Sequence, residues 1–253
     1  MSATLTAGMV AALLIAAVLA GRRLRRVLPD DHLNERSRDT VKQATGLVAT
    51  MTALLLGLLV TSAKSSHDAT RSQVIQMAAR VAYLDRVLVE YGPEAAGIRS
   101  RLRNTTEEAV RRIWPEEKDA KIQLAPERHA GDELYTAALR LAPRDEIQRT
   151  LKAEAVAVAG ELRRSRELLL AQSAPSISTL LLIVVVTWLM LIFVSFGLIA
   201  PDNATAALSL MISALSVSGA VFLILDLDRP FGGLMKISSE PMLRTLGQLA
   251  SQT

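Results

Sequence analysis

The chain has no cysteine, and that absence excludes a disulfide framework, a thiolate nucleophile, Cys-ligated zinc and an iron–sulfur cluster. Histidine is nearly as scarce. His32, His67 and His129 stand far apart, in no metal-ligand spacing, and read as ordinary surface residues, so neither a metal nor another cofactor is expected. Aromatics make up 4% of the 253 residues, no Lys/Arg run is interleaved with them, and the formal charge is only +4, which argues against nucleic acid as a partner. An enzyme would need a nucleophile with a base, or a carboxylate pair beside a pocket. Asp226 and Asp228 are the sole acids that fit such a place, with nothing near them that resembles a nucleophile, so the chain reads as a non-enzyme.

What the chain does have is long uncharged runs. Met1–Gly21 (21 residues), Gln43–Ala63 (21), Gln172–Pro201 (30) and Asn203–Leu225 (23) hold most of its apolar half. A helical span needs about 20 predominantly apolar residues, so each is long enough to cross a bilayer. The expected fold is all-α: an integral membrane protein with four transmembrane helices, two before and two after a helical-bundle domain, and the lipid bilayer as its first partner. The expected limits are transmembrane helices over 1–21, 43–63, 175–200 and 203–225, a basic connecting loop over 22–42, the bundle over 64–174 and a C-terminal tail over 226–253.

The first run carries no positive charge before its apolar core, unlike a cleavable signal, and Arg22, Arg23, Arg25 and Arg26 follow it at once. That asymmetry predicts a retained anchor with its N-terminus outside and the Arg cluster in the cytoplasm, which puts 64–174 outside as well. The other connections pull against this: the hairpin Pro201-Asp202-Asn203 has no Lys/Arg, and Arg229, Lys236 and Arg244 would then lie outside. The dense cluster beside the first span is given the greater weight.

Inside the second span Gly46, Thr50, Ala53, Gly57 and Thr61 recur at helical spacing and share one face. Small residues let helix backbones approach closely in lipid, so the face is for tight packing or, alternatively, lines a pore. Ser209, Ser213, Ser216 and Ala220 form a comparable stripe on the fourth span, open to the same two readings. Between the spans, Ser65–Tyr91 is expected to continue the second span without a break up to Gly92-Pro93. Ile98, Leu102, Ala109, Ile113 and Trp114 then mark a helix ended by Pro115. Further helices carry Leu134, Ala138 and Leu141, and then Ile147, Leu151, Val158 and Leu162. Each has an apolar stripe and a charged back, the pattern of a helical bundle.

The fourth span ends in Asp226-Leu-Asp228-Arg229-Pro230-Phe231-Gly232-Gly233, followed by Ser238-Ser239-Glu240-Pro241. Charges at a lipid boundary need a partner or water, and Arg229 can pair with either aspartate. Pro230 ends the helix and the glycines allow a turn back to the membrane surface. The segment is either a charged cap that sets the depth of the span, or the mouth of a pathway where Asp226 or Asp228 meets a cation.

These residues resemble the C-terminal signature of the bacterial bestrophin-like domain family, a group of unknown function. Thr45-Gly46-Leu-Val-Ala-Thr50 through Gly57 is similar to its second-span pattern, and Leu84-Asp85-Arg86 and Tyr91-Gly92-Pro93-Glu94-Ala95 to its mid-region. The resemblance covers nearly the whole chain and implies a multi-pass protein of the bacterial inner (plasma) membrane. True bestrophins are pentameric anion channels with four spans and a helical domain between the second and third. The resemblance therefore implies an oligomeric ion channel, pentameric if channel-like. The alternative is a non-conducting scaffold or sensor whose bundle binds a partner. Two departures stand out: none of the four phenylalanines falls in the second span, where bestrophins narrow their pore, and the charge rule places the bundle outside rather than in the cytoplasm.

Overall fold

The computed structural model describes residues 3–29, 35–115, 130–171 and 178–251, and every regular element among them is a helix. The helices are α1 (Ala3–Val27), α2 (Glu35–Tyr91), α3 (Ala96–Ile113), α4 (Ala130–Leu139), α5 (Glu146–Ala171), α6 (Thr179–Ile199), α7 (Ala204–Leu227) and α8 (Glu240–Ser251). Four of them, α1, α2, α6 and α7, are long and apolar enough to cross a membrane. His32, His129 and the start of the third uncharged run at 172–177 lie outside the described residues.

The helices run past the hydropathy boundaries. α1 carries the Arg cluster as its last turns, and α2 begins at Glu35, so most of the expected 22–42 loop that the structure describes is helical. The reason is that hydropathy marks where lipid ends, whereas Arg and Lys are good helix formers that carry the backbone further. α2 then continues for 57 residues. It stops at Gly92, whose φ of 114° only glycine adopts readily, and Pro93 opens one turn of 3-10 helix that leads into α3.

The chain divides into two compact units: 1–66 with 176–229, and 67–175 with 230–253. In the first, α1 packs on α6 and α7. Val10, Leu14 and Val18 of α1 meet Leu59 of α2, Val185, Leu189 and Phe193 of α6, and Val221 and Ile224 of α7 in one core. Between lipid-embedded helices burial from water supplies little, so this unit rests on close packing. Asn203 caps α7, its side-chain oxygen accepting from Ala206 N–H at 2.8 Å.

In the second unit the hydrophobic effect does the holding. Leu84, Leu88 and Tyr91 of α2, Leu102 of α3, Ala138 of α4 and Ala159 of α5 form its main core, with each fully buried leucine contributing about 1.5–3 kcal/mol. A second core joins Val74, Ala78, Val110 and Leu169 to Phe231, Ile237 and Met242. The tail therefore belongs to the helical unit, where it contributes α8.

Candidate functional site

The two stripes of small residues turn away from the chain's own core. On α2 the buried positions of the span are Thr45, Thr52, Leu59 and Ala63, while Gly46, Thr50, Ala53, Gly57 and Thr61 are all exposed. A Cβ built on Gly46 or Gly57 meets nothing within 4 Å. The hydroxyls of this face bond back to their own helix, Thr50 to the Gly46 carbonyl at 2.9 Å and Thr61 to the Gly57 carbonyl at 2.8 Å. Their hydrogen-bond donors are thus satisfied without a neighbour. Ser209, Ser213 and Ser216 on α7 are exposed too, with Ser213 donating to Ser209 O and Ser216 to Ile212 O, and Gly219 beside them is open. Ala220 is half-buried. Within the described residues the packing reading of these faces finds no partner helix in the same chain.

The glycines that do meet a backbone are different ones. Gly21 of α1 and Gly197 of α6 sit where any side chain would strike the opposite main chain. Nothing in their neighbouring sequence separates them from the exposed glycines. One turn beyond, Arg25 Nη1 donates to the Ala200 carbonyl at 2.6 Å, at the C-terminal end of α6 where a cation is favoured.

The signature divides between the two units. Its acidic half closes α7: Asp228 is the C-cap residue, its N–H reaching Ile224 O at 3.2 Å, and Arg229 N–H reaches Asp226 O at 3.1 Å. Asp226 is 1% exposed, so its carboxylate is shut away from solvent in this chain; Asp228 is half-buried and Arg229 exposed. Asp226, Asp228 and Arg229 all have polar partners.

The Pro-Phe-Gly half is built into the second unit. Phe231 is buried and meets Trp114 edge-to-face with ring centroids 5.6 Å apart. The Trp114 indole N–H donates to the Ile237 carbonyl at 2.7 Å, and Ile237 N–H closes the turn on Pro230 O at 2.8 Å. Gly233, at φ 81°, supplies the left-handed position the turn needs, while Gly232 has no positive φ.

His67 also belongs to this turn, which corrects its reading as a surface residue: only 13% of its side chain is exposed, and its Nε2 donates to the Met235 carbonyl at 2.9 Å. Neither Trp114 nor His67 is near the signature in sequence; a tryptophan next to Pro115 was the available hint. The signature thus reads as a clamp on the helical unit in its second half and a helix cap in its first.

The mid-region motif is structural in the same sense. Asp85 is buried and accepts from Arg99 Nε at 2.7 Å and Nη2 at 3.3 Å, a two-point pair that ties α2 to α3. Tyr91 lies at the centre of the main core with its hydroxyl lacking a hydrogen-bond partner among the described residues. Burial pushes its pKa up, Glu94 adds to the rise, and Arg144 opposes it. Tyr83, exposed, is raised chiefly by donating to Glu154. Around the 870 Å³ cleft between α3 and α4 the charges pair off, Arg101 with Glu133 at 3.5 Å and Arg144 with Glu94 at 2.8 Å, as on a solvated surface. Among the described residues no three His, Asp or Glu side chains gather as metal ligands would.

A family model, the Bestrophin-like domain, matches residues 10–242. No curated protein and no solved structure matches the chain.

Proposed function

The chain belongs to the Bestrophin-like domain family and is a bestrophin-type membrane protein; on that premise we propose that it assembles as a homo-oligomer, a pentamer, around an axial path for ions, anions by analogy with bestrophins. The observation that carries the reading is the outward face of α2, where Gly46, Thr50, Ala53, Gly57 and Thr61 stand exposed with open space over both glycines. A face of glycines and self-bonded threonines is narrow and hydroxyl-rich. It suits a lumen or a close helix contact between copies, and it is a poor match for bulk lipid.

The signature enters this reading through Asp228 and Arg229 at the end of α7, which supply charge at a pathway mouth, while buried Asp226 fixes the cap. The protein sits in the bacterial inner membrane in a two-plus-two order of spans. Its N-terminus and the 64–174 domain are outside the cytoplasm and its Arg cluster is inside. Because the chain has no cysteine, single cysteines at Glu133 and Arg36 report that orientation directly with an impermeant thiol reagent. Labelling of the Arg36 position alone in intact cells reverses it.

The decisive experiment is the mass of the particle in nanodiscs followed by ion flux. Five subunits, with flux abolished in Gly57→Leu while assembly persists, support the channel; flux unchanged in that variant sinks the pore assignment.

A second reading, a non-conducting scaffold or sensor, has its own observation: α2 is a single helix of 57 residues that contributes to both units. Such a helix can pass a displacement from one to the other. A monomer or dimer in the nanodisc leaves this reading in front.

A further inference from the structure

We infer that the first unit carries a built site for one anionic phospholipid, with an acyl chain in a cleft between α2, α6 and α7 and the headgroup phosphate against Lys42 and Arg25. The inference stands on the membrane spans and not on conduction: of the two small-residue stripes the cleft takes only Gly46 and Ser209, and Thr50, Ala53, Gly57 and Thr61 lie outside its lining.

The cleft holds about 490 Å³, within the range of roughly 300–1,000 Å³ usual for sites that enclose a ligand. Its walls are apolar side chains: Ala49 from α2, Phe196 and Ile199 from α6, and Leu210 from α7. Polar side chains are few, Lys42, Thr45 and Ser209, and Gly46, Ala200 and Ala206 complete the lining. Lys42 is the last charged residue before the uncharged run of α2. The cleft therefore begins where the chain leaves the headgroup layer, and its apolar walls extend from there.

Cations gather at that end. Ala200 lines the cleft, and its carbonyl is the one to which Arg25 donates. A guanidinium has five N–H donors, and among the described residues that bond is the only one Arg25 makes. Arg22, one turn earlier on α1, has Nε and Nη2 enclosed with no partner among the described residues. Buried donors in that state call for an acceptor. Lys42 is paired with Asp39 at 3.1 Å, but both side chains are largely exposed, and such pairs contribute little, so a phosphate displaces Asp39 easily.

An apolar cleft with a cationic rim at the end of a span matches a lipid with a negative headgroup and two tails, one of which can lie in the cleft. The charge complementarity selects against a zwitterionic lipid. A second copy of this chain would have to bring carboxylates to the same rim.

The test uses the full-length protein, reconstituted in nanodiscs of equal phosphatidylglycerol and phosphatidylcholine, released into mild detergent and read by native mass spectrometry. The expected result is retained phosphatidylglycerol in excess over phosphatidylcholine, with Lys42→Gln lowering that excess about fivefold, the weight of one cation at an anionic surface. Ala49→Phe, which fills the cleft, lowers retained lipid of both kinds. Equal retention of the two lipids overturns the inference, as does an excess unchanged in both variants, which assigns it to the surrounding annulus. No retained lipid at all also overturns it and gives the cleft to a neighbouring copy. Lys42 is exposed and its replacement leaves the fold intact, so the test stands even where Ala49→Phe does not fold.

Discussion

Gly21 and Gly197 let the backbones of α1 and α6 meet: a Cβ on Gly21 would stand 2.2 Å from the Val194 carbonyl oxygen, and one on Gly197 would stand 2.3 Å from that of Val18. Both collisions are with backbone, which cannot rotate aside as a side chain can. Helices inside a bilayer gain little from leaving water, so contact of main chain with main chain is a large part of what holds them.

Gly197→Val should therefore open the α1–α6 contact and lower stability by about 1–3 kcal/mol or more, the usual penalty of overpacking. Thermal unfolding in detergent measures it. Gly57→Ala, with open space over its Cβ, should leave the unfolding temperature unchanged or slightly raised. Equal losses at the two positions would mean that Gly57 is packed against something in the detergent-solubilised protein.

Trp114 and Phe231 hold the signature turn onto the helical unit. Phe231→Ala should cost about 3–5 kcal/mol, as truncation of a buried aromatic does. Trp114→Phe should cost less, mostly the single indole bond to Ile237, worth about 0.5–1.5 kcal/mol. A double-mutant cycle on the two rings should leave a coupling of about 0.5–1.5 kcal/mol. In a Trp188→Phe background, which leaves Trp114 as the one indole, emission should shift to the red when Phe231 is removed, because water then reaches the indole. An unshifted spectrum would show that the turn does not cover it.

Asp85 and Arg99 offer a contrast between buried and exposed charge. Asp85→Ala leaves a mostly buried guanidinium without this carboxylate, and losses of about 3–5 kcal/mol are usual when one partner of a buried pair is removed. The adjacent pair Arg86–Glu90, exposed on the same helix, should yield less than about 1 kcal/mol. Chemical denaturation of the two variants side by side checks the ordering.

Tyr91 predicts an alkaline limb. Its pKa in the folded chain is raised above the ordinary 10.0, first by burial. Between the unfolded and folded values the folded state holds the extra proton, so this contribution is complete below pH 10.0 and lost as pH rises through the folded value. Tyr91→Phe should flatten that loss above about pH 10. It also removes a buried hydroxyl that has no partner among the described residues, so stability at neutral pH should hold or rise. A steeper alkaline loss in the variant would point to another group.

Much of the architecture is legible in the residues alone, because the signals for it are local. The uncharged runs mark α1, α2, α6 and α7, since any charge within a span would be penalised where it stands. The end of α2 is written in Gly92-Pro93, where one residue tolerates a positive φ and the next cannot continue the helix. Families are legible in the same way, and the resemblance read from the signature and the second-span pattern agrees with the family match over residues 10–242.

What the residues could not show is which face meets which. Gly46 and Gly57 look like packing glycines and stand open, while Gly21 and Gly197, which look like nothing in particular, carry the contact. His67 lies more than 160 positions before the carbonyl it binds, and Trp114 more than 120 before Ile237. Spacing along one helix defines a stripe but not its neighbour, because the neighbour is chosen by the fit of surfaces far apart in the chain. The sequence by itself determined that four helices can enter a bilayer and where each begins to be apolar. Only the tertiary structure decided that Asp226 is sealed, that Phe231 belongs to the helical unit, and that Gly46 and Gly57 of α2 and Gly219 of α7 stand open.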